Sequence, residues 1–301
     1  MKHNTGGVLI YVLLLLVTLS SLLSIAFQSA TNNTRLLAAS LNHTEARQMA
    51  LSGLDLILYE LKRDGRKENT DDMSDRWYSY NDGRTFPIDG GEIYIRIQDA
   101  GALPSLNQLL GYGTSDELYQ NMLRRYIAAE SLPSFNLAPL LDYIDGDKDT
   151  RSSGAEAWDY LNDTPSFLPR NSKIEGYSDL SMIKDFPEKI HRQAEGYFSL
   201  ISGEQIVNVN TAHPSFLKAL FPSNPKIAQA IELRIRTPYQ NLGDFFKELG
   251  IKKSPESIYL STSTEYFTVR SLVRYNGAEV GLTALIWRDE LSFKVLKINW
   301  L

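Results

Sequence analysis

The feature that most constrains this chain is an uninterrupted apolar run at residues 8–27, in which, besides Tyr11, only four of the 20 side chains carry a hydroxyl group. Between Asn4 and Thr34 the one ionisable side chain is that of Tyr11. About 20 apolar residues in a helix span the ~30 Å hydrocarbon core of a membrane. The run exceeds the roughly 7 to 15 residues of a cleaved secretory signal, and no clear small-residue cleavage site follows it. The sequence predicts one transmembrane helix, with Lys2 on the cytoplasmic side and the rest of the chain across the membrane.

Two glycines, Gly6 and Gly7, directly precede the apolar run. This arrangement resembles a type IV prepilin leader, in which a membrane peptidase cuts after such a glycine and leaves the helix attached. The resemblance implies a leader at residues 1–7, cut by prepilin peptidase between Gly7 and Val8. Pilins commonly carry Glu at the fifth mature position, but here that position is Val12. An unpaired carboxylate in hydrocarbon is costly. A subunit that lacks this glutamate is therefore expected at a position where no neighbouring subunit lies above it. A plain membrane anchor is the alternative.

The helix is expected to continue well beyond the membrane. No proline occurs before Pro87, and the first glycine after the leader is Gly53. A helix from residue 8 to about Asp64 would be roughly 85 Å long at ~1.5 Å per residue. A buried stripe is predicted from four leucines with helical spacing, Leu51, Leu54, Leu58 and Leu61.

Strand patterns occur only near the two ends of the remaining chain. Alternating residues at 92–98 predict a strand that pairs, through the turn Asp89-Gly90-Gly91, with a short strand at 85–88. Strand character then disappears for about 160 residues and returns at 266–275, 278–288 and 292–300. The dipeptide Asn276-Gly277 predicts a hairpin between the first two of these late strands.

These patterns predict an α+β fold with an interrupted sheet. A pilin-like domain with an antiparallel sheet is expected from residues 28–100 and 262–301, built on the long N-terminal spine helix. An all-α domain, residues 101–261, is expected as an insertion between the early and the late strands. We call residues 101–261 the helical insert.

Composition excludes several kinds of site. The chain has 301 residues and no cysteine, which removes thiol catalysis, iron–sulfur clusters and cysteine-based zinc sites. Its four histidines, at positions 3, 43, 191 and 213, show no ligand spacing. The net charge of −5 argues weakly against a dedicated nucleic-acid binder.

An acidic loop occupies residues 142–160. Between residues 136 and 160 six acidic and two basic side chains give a net −4 of the total −5. The acids are Asp142, Asp145, Asp147, Asp149, Glu156 and Asp159. With Asp145 as position 1, three others fall at positions 3, 5 and 12, as in an EF-hand calcium loop, although position 6 is Thr150 instead of Gly. The pattern predicts a structural calcium site, with a solvated acidic turn and a glycosidase-like carboxylate pair as alternatives.

Residues 206–251 resemble a helix-hairpin-helix repeat of the SAM-like kind, in which asparagines and small residues lock short helices together. The pattern opens with Val207-Asn208-Val209-Asn210-Thr211. DNA-binding members offer hairpin N–H groups to phosphate, but the hairpin here, residues 222–225, contains two prolines, which lack that group. The net charge of this region is only +2. A structural role is expected, and nucleic-acid binding is not.

In their order along the chain, these motifs resemble the minor pseudopilin K family of the type II secretion system, also called the general secretion pathway protein K (GspK) family. The motifs are the Gly7-Val8 leader without the fifth-position Glu, Ile97-Gln98-Asp99-Ala100 before Leu106-Asn107-Gln108-Leu109, the acidic loop, Pro169-Arg170-Asn171 before Tyr177-Ser178-Asp179-Leu180, the stretch at 207–211, and the closing strands.

The resemblance implies a non-enzymatic subunit at the tip of a short periplasmic pseudopilus, which initiates assembly and supports protein export across the outer membrane. The implied partners are minor pseudopilins I and J, the major pseudopilin, prepilin peptidase and the inner-membrane assembly platform. The implied location is the inner membrane, crossed once, with most of the chain in the periplasm. Calcium binding in the family carries over to Asp145, Asp147, Asp149 and Glu156, with Asp142 and Asp159 as further candidates. Some members also carry a disulfide in the insert, which a chain without cysteine lacks.

Two other functions stay open from the sequence alone. A membrane-anchored DNA-binding protein of the competence type is suggested by the helix-hairpin-helix resemblance. An anchored periplasmic hydrolase is suggested by the acidic loop. No Ser/His/Asp set, phosphate loop or dinucleotide fingerprint is found, so no catalytic residue is predicted.

Overall fold

The computed structural model of this chain describes residues 5–64, 70–111, 117–203, 206–288 and 292–301. Helix α1, Thr5–Asp64, runs without interruption for 60 residues, as predicted. Within the described residues it is the one helix long and apolar enough to cross a membrane, and its apolar part is fully exposed. The first four residues of the predicted leader lie outside the described residues, and the bond from Gly7 to Val8 lies near the start of α1.

The second half of α1 packs against the sheet. Its buried stripe consists of Ala46, Ala50, Leu54, Ile57 and Leu61. Of the four leucines predicted to be buried, Leu51 and Leu58 are only partly buried, at the edge of this stripe. The buried stripe is shifted from the predicted line of four leucines because small residues let the helix approach the strands closely. A Cβ atom on Gly53 would lie 2.4 Å from Ser271 Oγ.

A single five-stranded antiparallel sheet has the order β1-β2-β5-β6-β7. Its strands are β1 Arg84–Ile88, β2 Gly91–Asp99, β5 Tyr266–Tyr275, β6 Ala278–Arg288 and β7 Phe293–Trp300. The predicted strands and the predicted pilin-like sheet are confirmed. The β5–β6 turn has positive φ at both Asn276 and Gly277, which are the residue types that adopt this conformation most readily.

The helical insert connects β2 to β5. Its helices are α2 Glu117–Ala129, α3 Ala138–Ile144, α4 Ala157–Leu161, α5 Glu188–His191, α6 Pro214–Leu220, α7 Ile227–Leu233 and α8 Leu242–Leu249. It also contains a short parallel pair, β3 Val207–Asn208 with β4 Leu260–Ser261. The expectation of an all-α insert is wrong in this detail, because strands of two residues have no periodicity that a sequence pattern can reveal.

The described residues form two hydrophobic cores. One lies between α1 and the sheet and includes Trp77, Ile97 and Phe267. The other lies within the helical insert and is centred on aromatic side chains such as Tyr126 and Phe216. Each part of the chain thus buries its own apolar side chains.

Polar side chains join the two parts at a seam around Asp71. The Asp71 carbonyl accepts hydrogen bonds from Asn208 Nδ2 (2.9 Å) and Asn210 Nδ2 (3.2 Å). The Asp71 carboxylate accepts from Thr264 N at 2.7 Å and from Arg288 Nη1 at 2.8 Å. The asparagines at 207–211 therefore lock the insert onto the sheet, in addition to joining short helices.

Candidate metal centre

The acidic loop follows α3 and ends where α4 begins, which brings three of its six acids together. Carboxylate oxygens of Asp145, Asp147 and Glu156 lie within 4.8 Å of one another. Asp145 and Glu156 are buried, at 8% and 4% exposure, and Asp147 is exposed. We call these three residues the carboxylate cluster. They are positions 1, 3 and 12 of the predicted EF-hand-like spacing.

Several oxygens of the cluster lack a donor. Asp145 Oδ1 and both Glu156 carboxylate oxygens are buried without a hydrogen bond of ordinary geometry from the described residues, although N–H groups at the start of α4 and of Asn171 lie close to Glu156. Burial raises the pKa of both carboxyl groups, and the nearby acids raise it further. Buried anionic oxygens without donors are unfavourable unless a cation or proton compensates them. The cluster therefore has unused capacity to bind a cation.

Arg151 supplies part of the compensating charge. Its Nη1 donates to Asp142 Oδ1 at 2.6 Å and also pairs with Asp145 Oδ2. Asp142 is fully buried and also accepts from Ala155 N at 2.9 Å. A Cβ atom on Gly154 would lie 1.9 Å from Asp142 Oδ2, so the loop needs glycine there. Asp142 closes the loop through these contacts and is not brought into the carboxylate cluster.

The other two predicted ligands are also placed elsewhere. Asp149 is exposed, and its backbone N donates to Asp147 Oδ1 at 2.8 Å. Asp159 Oδ2 accepts from Glu156 N at 3.1 Å, and its Oδ1 lies 3.4 Å from Lys184 Nζ. The backbone hydrogen bond from Glu156, with Lys184, lowers the pKa of Asp159. Asp159 thus caps the start of α4, as expected of an acid in the first turn.

One further oxygen, which the sequence did not predict, belongs to Asn171. Its Nδ2 donates to the Asp147 carbonyl at 2.8 Å, while its buried Oδ1 accepts no hydrogen bond from the described residues. The amide adjoins Glu156 and opposes part of the rise in the pKa of that carboxyl group. Asn171 has φ +46°, a conformation that asparagine tolerates better than most residues. The only sequence signal was an asparagine directly after Pro169-Arg170.

The donor set consists of oxygens alone. Three carboxylates and one amide are hard ligands, which suit calcium and do not suit soft transition metals. The buried oxygens without donors fit a divalent cation held by Asp145, Asp147 and Glu156, with Asn171 beside them. The described residues therefore fit the predicted type of ion, with a smaller ligand set than the six acids.

The hairpin at residues 222–225 does not present the N–H groups that DNA binding requires. The backbone N of Asn224 donates to Phe221 O at 3.2 Å, and that of Lys226 donates to Asn224 Oδ1 at 2.9 Å. The Asn224 side chain is itself held by Leu249 O. Because these donors are used internally, the hairpin acts as a connection between α6 and α7.

A spine helix long and apolar enough to cross a membrane, packed on an antiparallel sheet with a helical insert between β2 and β5, defines a pilin-like fold. A family described as "Type II secretion system (T2SS), protein K" matches residues 105–203. The type II secretion system protein K of Klebsiella pneumoniae is 25% identical, over 99% of this chain and 97% of the relative. That of Pseudomonas aeruginosa is 29% identical, over 96% of this chain and 91% of the relative. This chain is therefore similar, along nearly its whole length, to type II secretion system protein K, and the matches support a minor pseudopilin of type II secretion.

The fold is also that of a solved structure, the GspK-GspI-GspJ complex from the enterotoxigenic Escherichia coli type 2 secretion system. The TM-score is 0.76 at 20% sequence identity, with 88% of this chain and 99% of that chain covered. The predicted family resemblance is confirmed. These matches favour the secretion pseudopilin over the competence-type DNA-binding interpretation.

Proposed function

We propose that this minor pseudopilin occupies the tip of the type II secretion pseudopilus, initiates its assembly and thereby supports export across the outer membrane. The observation that carries the proposal is the position of the helical insert at the end of the sheet furthest from the membrane-spanning part of α1. In that position the insert would block another subunit from stacking above this one.

A hydrogen bond between α1 and the β5–β6 turn indicates which end of the sheet is nearer to the membrane. Asn42 Nδ2, on the membrane side of the packed part of α1, donates to Asn276 O in the β5–β6 turn at 3.1 Å. That turn is therefore the membrane-proximal end of the sheet. The nine residues of β2 extend about 30 Å from there at ~3.3 Å per residue, ending at Asp99 opposite Phe267. The helical insert leaves and rejoins the sheet at this distal end.

The sequence of the apolar part of α1 also supports a position at the tip of the pseudopilus. Val12 stands where pilins usually carry a glutamate, and its side chain is 50% exposed. A glutamate in hydrocarbon needs a cationic partner, which pilins take from a neighbouring subunit. A terminal subunit has no need of that contact.

We further propose that minor pseudopilins I and J are direct partners, since the solved relative is a complex of K with I and J. The major pseudopilin would follow below this tip complex. Prepilin peptidase would cut between Gly7 and Val8, and the inner-membrane assembly platform would extract the subunit. Anchoring through α1 would place the chain in the inner membrane, with the sheet and the helical insert in the periplasm.

A structural calcium ion is the second part of the proposal. Asp145, Asp147 and Glu156 would hold it, and Asn171 would contribute its amide oxygen. The ion would tie the start of α4 to the end of α3 in a chain that has no cysteine for a disulfide. Asp149 and Asp159, exposed or used in a helix cap, would contribute less to binding.

The tip position is tested by labelling. Because the chain has no cysteine, Asp163→Cys on the exposed part of the insert gives a unique attachment point for a gold-conjugated maleimide. We expect one label at one end of each sheared pseudopilus, and a cysteine variant of the major pseudopilin should label along the length. Labels of the minor pseudopilin distributed along the filament would refute the tip position.

Calcium binding is tested separately by thermal unfolding of the full chain in detergent. We expect calcium to raise the melting temperature relative to chelator, since binding to the native state stabilises it by mass action. Glu156→Gln should lose most of this rise, whereas Asp163→Asn, a matched removal of a nearby exposed acid, should keep it. Equal melting temperatures with calcium and chelator would refute the calcium site and leave the tip position untouched.

A further inference from the structure

A cleft with both apolar and charged lining residues lies between the sheet and the helical insert. It encloses about 630 Å³ and is lined on one side by the face of β2 and β5 that points away from α1, including Arg96 and Arg270. The other side includes Arg234, which directly follows α7, and Tyr177. This volume is that of an ordinary small-ligand site.

Two arginines lie directly opposite one another on neighbouring strands. Arg96 of β2 pairs in register with Arg270 of β5, and both side chains line the cleft. Like charges at directly opposite positions of a sheet destabilise it. Arg96 Nε donates to Asn81 O at 3.1 Å, which fixes one side of its guanidinium. The arrangement suits a bound anion between the two arginines.

The third arginine is buried. Arg234 is 3% exposed, and its Nη1 donates to Val209 O at 2.8 Å. Its Nε is buried and has no hydrogen-bond partner among the described residues. Burial lowers the pKa of Arg234 to about 10, so the side chain is still charged at neutral pH. A buried guanidinium N–H without an acceptor is unfavourable. A shift of the Arg234 side chain towards an acceptor bound in the cleft would satisfy it.

The acids that line the cleft do not neutralise these arginines. Within the described part of the chain, none of the three arginines forms an ion pair. The lining acids are Asp99 and Glu195. The Asp99 carboxylate is occupied, because it accepts hydrogen bonds from Gly101 N, Thr211 Oγ1 and Thr264 Oγ1. Glu195 is exposed. The cleft is thus cationic in a chain whose net charge is −5.

We propose that this cleft binds a carboxylate-bearing ligand, held by Arg96 and Arg270 on the sheet and by Arg234 on the insert. The planar fork of a guanidinium matches the two oxygens of a carboxylate, and such charge-assisted hydrogen bonds are stronger than neutral ones. Small dicarboxylates and the acidic side chains of a polypeptide share this chemistry. A ligand held from both sides would bridge the sheet and the helical insert.

The test is calorimetric titration of the full chain in detergent, with calcium in constant excess so that chelation by the probe has no effect. The probes are glutarate, its neutral analogue glutaramide, inorganic phosphate, and a capped tetrapeptide of glutamates. The variant Arg270→Gln removes an exposed arginine of the cleft. The matched control, Arg274→Gln, removes an arginine on the same face of β5 that is ion-paired with Glu92 and Glu279 outside the cleft.

We expect glutarate or the glutamate peptide to bind, and the probe that binds identifies the source of the carboxylate. Arg270→Gln should weaken binding about ten-fold or more, as expected for loss of a charged hydrogen bond. Arg274→Gln should change it less than about two-fold. Binding of neither carboxylate probe, equal binding of glutaramide, tighter binding of phosphate, or equal effects of the two variants would overturn the proposal.

Discussion

Asp99, at the end of β2, makes the stability of this protein depend on pH in a way that one substitution can isolate. The carboxyl group is fully buried at the junction of the sheet and the helical insert. Burial, with a smaller contribution from the nearby Asp71 carboxylate, raises its pKa from 3.8 to about 6. Hydrogen bonds from Thr211, Gly101 N and Thr264 oppose the rise. Asp99→Asn keeps the shape of the side chain and removes the titration.

The magnitude follows from the difference between the two pKa values. Because the folded state binds the proton more tightly than the unfolded state, protonation stabilises the fold. The contribution is fully present below pH 3.8 and is lost as the pH rises through about 6. A difference of about 2 pKa units corresponds to about 3 kcal/mol, since each unit is worth ~1.4 kcal/mol. Most of this is lost between pH 4 and pH 7.

The assay is urea unfolding of the full chain in detergent at pH values from 4 to 7.5. The quantity of interest is the free energy of unfolding of the wild type minus that of Asp99→Asn, and we expect this difference to fall by about 2 to 3 kcal/mol across the range. Subtraction removes the other titrating groups, and the pH dependence is independent of any constant loss of hydrogen bonding. An exposed control on α1, Asp55→Asn, should give a nearly flat difference. A flat difference for Asp99→Asn would refute the reasoning.

Three further substitutions probe the seam and the close approaches, each by urea unfolding. Asn210→Ala should cost about 3 kcal/mol, because it leaves the buried carbonyl and N–H of Tyr239 without partners and removes one of the two donors to the Asp71 carbonyl; a loss below about 1 kcal/mol would contradict this. Gly101→Ala should lower the free energy of unfolding by at least about 2 kcal/mol, because its Cβ would lie 1.7 Å from a main-chain oxygen. The control Gly146→Ala, where the Cβ would meet open space, should leave the free energy of unfolding unchanged. Arg288→Gln should cost about 2 to 3 kcal/mol by leaving the buried Asp71 carboxylate without its cation; an effect equal to that of an exposed arginine would contradict this.

The candidate metal centre shows how much of a site the local spacing of acidic residues can predict. The residues at positions 1, 3 and 12 of the spacing counted from Asp145 lie close together, and that at position 5 does not, because the loop turns back on itself between α3 and α4. The spacing did not reveal that Arg151 would hold Asp142, since that contact depends on how the loop closes. Nor did it reveal Asn171, which lies 15 residues beyond Glu156 and reaches the cluster through tertiary folding.

The apolar run at residues 8–27, the alternation of the strands and the Asn276-Gly277 turn determined the spine helix, the sheet and the class of protein. These features follow from short-range periodicity and turn chemistry, which the sequence displays directly. The tertiary structure alone decided that Asn208 and Asn210 lock the helical insert to the sheet, and that Arg96, Arg234 and Arg270 share one cleft. The contacts of Asn208 and Asn210 with Asp71, and the meeting of Arg96 with the other two arginines, join residues more than 100 positions apart. Their partners are fixed by which surfaces pack together, for which a single sequence carries no periodic signal.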